Sequence, residues 1–390
     1  MRILFIHNYY RLRGGEDTIF EQEFAKLREL GHDVDAVIFT NDQFGESIGG
    51  KLLSAFQTLN NRASAQRVKE AITRFKPDVV HIHNLFYTAS PAVINAVKAC
   101  NVPVVMTLHN YRLVCASGLL MRPGEIPCER CLTKTVPLDG IRFGCFRDSR
   151  VQSAQLTAIT SLHKLTHTWQ HVDRFITLTN FARQKMLQSS LQLRPEQVVV
   201  KPNFVPDLGY TAHDLRGDFF LFVGRLSQEK GIDVLLEAAK QVALPIEVVG
   251  EGPLQAAVEA AAQQGQVRYR GSLPREQAVE RMRQCRAIIV PSIWYEGLPT
   301  VILEAFATGT PVICSDQGNL NQIVEDEKTG KLFKTGHAPS LATILTTISQ
   351  DTSSLAAWGQ TARQTFTEHY EEKIVIHKLL DIYMSISNSN

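Results

Sequence analysis

A chain of 390 residues is too long for one ordinary domain and predicts two. Its apolar and charged fractions are those of a globular protein, which excludes disorder apart from the polar residues 385–390, and no apolar run approaches the ~18–20 residues that span a bilayer. The net charge of +2 hides an asymmetry: residues 1–205 carry 25 Lys/Arg against 17 Asp/Glu, and residues 206–390 carry 16 against 22. A basic first half is suited to an anionic partner. Membrane lipid or a lipid phosphate fits better than nucleic acid, because no dense basic cluster is interleaved with aromatics.

The chain opens directly on the strand-like RILFIH, without a cleavable leader, and a cytoplasmic protein is expected. Gly14 and Gly15 follow this strand and permit close backbone approach to a ligand. RLRGGED is not a GxGxxG fingerprint, so no nicotinamide site is read there. A helix pattern then runs through TIFEQEFAKLREL and closes at Gly31. The strands DAVIF and DVVHIH, the helix PAVINAVKAC and the strand VPVVMTLH follow. His109 ends the last of these, and His81 and His83 share a face of DVVHIH as core or supporting residues. The strand VDRFITLT, the helix FARQKMLQSS and the strand VVVKP complete the half, with Asn203 just beyond.

The second half repeats the plan without repeating the sequence. FFLFVG, IEVVG, VRYRG, AIIVPS, PVICS and KLF read as strands. GIDVLLEAAKQVA, LQAAVEAAAQQ, REQAVERMRQC and TVILEAFA read as helices. Such alternation means a parallel sheet covered on both faces, so the fold class is α/β with two doubly wound, Rossmann-like domains. The expected boundaries are a first domain at 1–203 containing an insertion at 112–150, and a Pro- and Gly-containing linker at 204–217. A second domain at 218–353 and a helical tail at 354–390 follow. In the tail Ile374, Ile376, Leu379, Leu380 and Ile382 are the apolar positions.

Residues 291–316, PSIWYEGLPTVILEAFATGTPVICSD, place Glu296 in a loop and Glu304 about one turn into a short helix. Pro299 and Thr300 mark its start and Gly309 its end. An anion at this helix start would meet free backbone N–H groups and the positive end of the dipole, while the two carboxylates could accept from hydroxyls. Diphosphate and polyhydroxylated rings together describe a nucleotide-sugar. In VGRLSQEKG, Arg225 and Lys230 stand five positions apart in a glycine-bounded turn, with charges suited to a diphosphate leaving group.

The order of these segments resembles the retaining, family-4 glycosyltransferases: GR-x4-KG before a helix, GEGP at residues 250–253, then Glu-x7-Glu with Gly297, Leu298 and Pro299 also fitting. The resemblance implies a GT-B architecture, two Rossmann-like domains facing across a cleft, with the tail helix crossing back to the first domain. It implies that Arg225 and Lys230 hold the donor phosphates, together with Gly252 of GEGP and backbone N–H groups near Leu298 to Val301, with Pro299 and Thr300 shaping that helix start. Glu304 would accept from the ribose hydroxyls, and Glu296, with Gly297 beside it, would contact the transferred sugar. Ser272 and Leu273 would border the base. In the first domain it implies a glycine loop, Gly14 and Gly15, beside the phosphates and acceptor, with His109 at the transferred sugar and Asn203 lining the site. No Asp-x-Asp metal triad is evident, so no catalytic divalent metal is expected.

Cys115, Cys128, Cys131 and Cys145 fall in one loop-rich stretch. The CxxC pair with two flanking thiols could grip a tetrahedral metal, zinc being the simplest choice and an iron–sulfur cluster another. Four unrelated thiols, or disulfides in an oxidising compartment, are the alternatives. Some bacterial family-4 enzymes of surface-polysaccharide synthesis are similar here, with HN-Y-x-x-x-C followed by a CxxC insertion. Cys100, Cys285 and Cys314 read as core residues.

The resemblance therefore implies transfer of a sugar from a nucleoside diphosphate sugar, UDP- or GDP-linked, to an acceptor hydroxyl with retention of configuration. A lipid-linked oligosaccharide or polysaccharide precursor is the expected acceptor, and the inner face of the cell membrane the expected place. The basic amphipathic residues 51–76 are a candidate contact with anionic lipid. A GT-B epimerase acting on the same donor and a non-catalytic scaffold subunit are the rival readings. The first would need no acceptor; the second would tolerate loss of charged motif residues, and none is lost.

Overall fold

The computed structural model describes residues 1–10, 14–40, 59–122, 127–350 and 352–387. Its Cα positions divide into two compact units, Met1–Pro202 with Ile376–Asn390, and Asn203–Val375.

The first unit is built on six parallel strands: β1 (Arg2–Tyr9), β2 (Asp33–Thr40), β3 (Val79–Ile82), β4 (Val104–Leu108), β5 (Arg174–Thr177) and β6 (Val198–Val200), in the order β2-β1-β3-β4-β5-β6. β1 and β2 pair in register from Arg2 opposite Asp33 to Tyr9 opposite Thr40. The central strands are continuous apolar runs because helices cover both faces of the sheet; Ile3, Leu4, Phe5 and Ile6 are fully buried.

The second unit holds β7 (Phe220–Val223), β8 (Ile246–Val249), β9 (Arg268–Tyr269), β10 (Ala287–Val290), β11 (Val312–Ser315) and β12 (Gly330–Phe333), ordered β12-β11-β10-β7-β8-β9. These pairs are parallel too, with Phe220 opposite Ile246 and Ala287 opposite Phe220. Strand order reverses between β7 and β10 here, and between β1 and β3 in the first unit. In doubly wound sheets the crevice beyond the strands' carboxyl ends at such a point is where ligands bind.

Among the described residues several helices lie where the sequence signalled none, two of them long. Arg150–Leu165 begins directly after the cysteine stretch, capped by Ser149, whose hydroxyl accepts from Gln152 N at 3.3 Å. Its inner face includes the small polar residues Ser153, Thr157, Thr160 and Ser161 beside Leu156 and Ile159, so hydrophobic periodicity is weak. Ala338–Gln350 packs Leu341, Leu345 and Ile348 on the second unit's core, its threonines and serines diluting the same signal. In the last helix, Glu372–Ser387, the buried stripe is Val375, Ile376, Leu379, Tyr383 and Ile386, while Ile374, Leu380 and Ile382 are half-buried. Tyr383 is fully buried and lies 2.6 Å from His81 Nδ1, and a tyrosine is easily passed over in an apolar count.

Candidate functional site

In the second unit the motif residues gather where β7 and β10 end. The turn after β7 carries an exposed Arg225 and a half-buried Lys230, and closes at Gly231 (φ 73°), where a Cβ would stand 1.9 Å from the Pro291 carbonyl oxygen. Only glycine lets these two loops meet. The close approach brings Lys230 Nζ to 2.7 Å from Glu296 Oε1, and Ser292 Oγ donates to the same oxygen at 2.6 Å. Glu296 is buried, and Asn319 Nδ2 ties its backbone carbonyl and that of Gly297. The ammonium of Lys230 also lies 5.5 Å from the centre of the Trp294 ring, a cation–π distance.

Gly250 and Gly252 (φ 140° and 155°) press the loop after β8 onto the loop after β7; their absent Cβ atoms would meet Gly224 O at 1.9 Å and Leu226 O at 2.5 Å. Gly250 N donates to Gly271 O, which brings in the segment carrying exposed Ser272 and half-buried Leu273. Thr300–Thr308 forms the short helix, with Pro299 at its N-cap, no side-chain cap, and left-handed Gly309 at its end. The N–H groups of Thr300 and Val301 therefore have no intrahelical partner, whereas Ile302 N donates to Pro299 O at 3.1 Å. Glu304 sits one turn in, and Arg275 holds its Oε1 from Nε at 3.0 Å and Nη2 at 2.9 Å. Burial raises the Glu304 pKa and Arg275 works against it. Arg225 has no ion-pair partner among the described residues.

The first unit has a different construction. Side chains from β1, from the ends of β3, β4 and β6, and from the helix Gly15–Glu29 meet in a buried polar network. Lys201 Nζ donates to Glu23 Oε1, both side chains fully buried. Glu23 Oε2 faces His83 Nε2 at 3.4 Å, and His83 Nδ1 lies 3.1 Å from His109 Nε2. His81 is saturated by Tyr383 Oη at 2.6 Å and Thr107 Oγ1 at 2.8 Å, and His7 Nε2 meets Asp17 Oδ1 at 2.8 Å. Burial alone would raise the Glu23 pKa; Lys201 and the neighbouring imidazoles reverse this and hold it well below the usual carboxylate range. Burial lowers the pKa of His81, His83 and His109, which keeps the three rings neutral. Glu23, His81 and His83 are the one trio of potential metal ligands within 4.8 Å of one another among the described residues, but the Lys201 ammonium already neutralises this carboxylate.

Beside Gly14 and Gly15, which are exposed, Glu16 Oε1 accepts from Asn84 Nδ2 at 3.0 Å and Oε2 from Asn110 Nδ2 at 3.3 Å. Arg112 donates to Tyr10 Oη at 2.5 Å close by. Burial, opposed by Arg112, pushes the Glu16 carboxyl up to about 7. Asn203 is buried with Oδ1 unpaired. Cys115, Cys128, Cys131 and Cys145 all line one cavity of about 10 Å³, although they are not a trio within 4.8 Å. Burial and the neighbouring thiols push Cys131 up to about 12 and Cys145 up to about 11.

Family comparison agrees with this construction. Residues 14–203 match the family described as Glycosyl transferase 4-like domain, and residues 211–365 match Glycosyl transferases group 1. The chain belongs to the family-4 glycosyltransferases. It is 27% identical to the O-antigen chain mannosyltransferase C of Escherichia coli over 44% of its own length and 48% of that protein's. It is 27% identical to the amylovoran biosynthesis glycosyltransferase AmsK of Erwinia amylovora, over 42% and 43% respectively. The match thus spans about half the length of these curated relatives. The crystal structure of Anabaena HepE in complex with UDP superposes with a TM-score of 0.70 at 17% identity, covering 99% of this chain and 100% of the other, so the GT-B fold is shared.

Within this glycosyltransferase the sequence motifs account for Arg225, Lys230, Glu296 and Glu304, but not for Arg275, Ser292 or Asn319, which hold them. Nor do they account for Glu23 and Lys201. These lie 178 positions apart, and no local pattern joins them. Of the basic residues 51–76, those at 51–58 lie outside the described residues. The remainder includes the helix Arg62–Phe75, which buries Val68, Ala71, Ile72 and Phe75 and exposes Arg62, Arg67, Lys69 and Arg74. Among the described residues no helix is long and apolar enough to cross a membrane.

Proposed function

We propose that this glycosyltransferase transfers a sugar from a nucleoside diphosphate sugar to an acceptor hydroxyl with retention of configuration. The observation that carries the reading is the Lys230–Glu296–Ser292 cluster beside an uncapped helix start, at the point where strand order reverses in the second unit's sheet. Arg225, Lys230 and the N–H groups at Leu298, Thr300 and Val301 would meet the diphosphate, with Gly252 allowing its approach, and stabilise charge on the leaving group. Glu304, released from Arg275, would accept from ribose hydroxyls, and Ser272 and Leu273 would border the base. Glu296 and His109 would contact the transferred sugar, Asn203 would line the site, and Gly14 and Gly15 would serve the acceptor side. In a front-face route the leaving phosphate takes the acceptor proton, so no protein base is required. UDP in the HepE structure favours a UDP-sugar donor, with a GDP-sugar as the other choice. The curated relatives' names favour a surface-polysaccharide or lipid-linked saccharide precursor as acceptor, and the exposed basic face of Arg62–Phe75 favours work at an anionic membrane surface.

Calorimetry against UDP, GDP, ADP, dTDP and CMP tests the donor. Binding of one nucleotide that is weakened in Glu304→Ala supports the site; equal binding by both proteins removes it. The anomeric configuration of the product, read by NMR, decides retention. Binding to anionic vesicles that salt abolishes supports the membrane surface, and absence of binding at low salt ends it.

The four thiols suit a structural zinc site by ligand type and by lining one cavity, which binding would draw to coordinating distance. Equal zinc content in wild type and Cys128→Ser/Cys131→Ser would remove that assignment.

A further inference from the structure

The buried chain Lys201–Glu23–His83–His109 carries information about which ring nitrogen of His109 holds a proton. Each step follows from the one before. Lys201 is fully buried, and its ammonium bonds Glu23 Oε1, so the carboxylate is ionised and is an acceptor only. Its other oxygen faces His83 Nε2 at 3.4 Å, and neither atom has a nearer partner among the described residues. A bare Nε2 there would set a lone pair against an anion in a buried interior. The His83 proton therefore sits on Nε2, and a neutral ring then has a bare Nδ1. That Nδ1 lies 3.1 Å from His109 Nε2, which must be the donor. Burial disfavours a second proton on either ring.

We propose that Lys201, Glu23 and His83 are positioning residues that fix His109 as its Nε2–H tautomer and present its bare Nδ1 as a hydrogen-bond acceptor for a substrate hydroxyl. Nδ1 has no partner among the described residues and His109 is half-buried, so this is the nitrogen open to a ligand. The arrangement is the inverse of an imidazole that donates. A hydroxyl satisfies it, whereas an amide or carboxylate oxygen in the same place would not. The hydroxyl part rests on the proposed contact between His109 and the transferred sugar; the tautomer does not.

Long-range proton–nitrogen NMR of the full chain with ¹⁵N-labelled histidine reads the tautomer directly, with His109 assigned by comparison with His109→Gln. The expected spectrum shows Nε2 protonated and Nδ1 bare. A protonated Nδ1, or averaging between the two forms, overturns the proposal. His83→Phe removes the acceptor and should let His109 average, while His83→Asn, whose side-chain oxygen can accept, should hold the tautomer; identical His109 signals in all three proteins would also overturn it. The signals of the remaining histidines report whether each variant is folded. In turnover, His83→Phe should lose about tenfold in kcat and His83→Asn should regain part of it. If His109→Ala turns over normally, the sugar contact fails while the tautomer assignment stands, so the two are separable.

Discussion

The two carboxyl edges of this molecule are built on opposite principles. In the second unit each ion pair sets a partly exposed cation on a more buried carboxylate: Lys230, 27% exposed, on Glu296, and Arg275, 47% exposed, on Glu304. In the first unit the ion pair Lys201–Glu23 is fully buried, and contacts through the buried ring of His83 lead from it to the half-buried ring of His109. The exposed pairs can exchange partners when an anion or a hydroxyl arrives, because water compensates what each side loses. The buried pair cannot, since an unpaired charge there has nothing to replace its partner. One edge is thus equipped to exchange partners with a ligand, and the other to hold a geometry fixed.

The sharpest way to break this contrast is to remove one half of each pair. Lys201→Met leaves a buried carboxylate unpaired and should cost about 3–5 kcal/mol of stability in the first unit, read as loss of its unfolding transition midpoint in urea. The double variant Lys201→Met/Glu23→Gln should recover much of that, because no uncompensated charge remains. A loss below 1 kcal/mol, about what an exposed ion pair gives, would mean that the network is wetter than its burial indicates. Lys230→Ala should do the reverse: little change in unfolding, but a fall in kcat worth ~2–4 kcal/mol of barrier, from lost stabilisation of the leaving group. A large loss of stability with normal turnover would make Lys230 a structural residue.

Glu16, beside Gly14 and Gly15, tests the first unit through pH. Its folded pKa is raised to about 7, above the ordinary carboxyl value of 4.5, so the folded state binds the proton more tightly than the unfolded state. Stability is therefore highest below the ordinary value and falls as pH rises from 4.5 towards 7. Glu16→Gln removes the titration. It should stabilise the protein relative to wild type by roughly 1–2 kcal/mol at pH 8 and by little at pH 5, measured by urea unfolding at both. An equal difference at the two values would show that Glu16 is not held protonated.

The same contrast explains what could be read from the sequence. The alternation of strands and helices was legible because parallel strands buried on both faces are continuous apolar runs, such as RILFIH and AIIVPS. The second unit's candidate site was legible because its residues sit close together in sequence: Arg225 with Lys230 in one turn, and Glu296 in the loop that leads to Glu304 on the next helix. The glycines that let those loops touch, such as Gly231 against Pro291, also lie inside the motifs. Arg275 and Asn319 escaped because they come from neighbouring loops or helices and carry no spacing signal. The first unit's network was illegible for a stronger reason. Glu23 stands on the buried side of an amphipathic helix where an apolar residue is expected, and Lys201 ends a strand of valines. Each looks like an ordinary surface charge until the fold places them together.

The smallest expected effect is at Glu304, and it bears on whether the exposed pairs really exchange partners. Arg275 occupies Glu304 Oε1 with two bonds, so a ribose hydroxyl at this carboxylate would have to compete with it. Glu304→Ala removes the acceptor outright and should weaken nucleotide binding by about 0.5–1.5 kcal/mol, the net scale of a typical hydrogen bond, because Arg275 already offsets part of what the carboxylate offers. Arg275→Ala leaves the carboxylate in place and frees it, so binding should hold or tighten slightly. Calorimetric titration of both variants with the nucleotide that wild type binds distinguishes the cases. If Arg275→Ala weakens binding as much as Glu304→Ala does, then Arg275 itself contacts the nucleotide, and the pair acts as a fixed support like Lys201–Glu23.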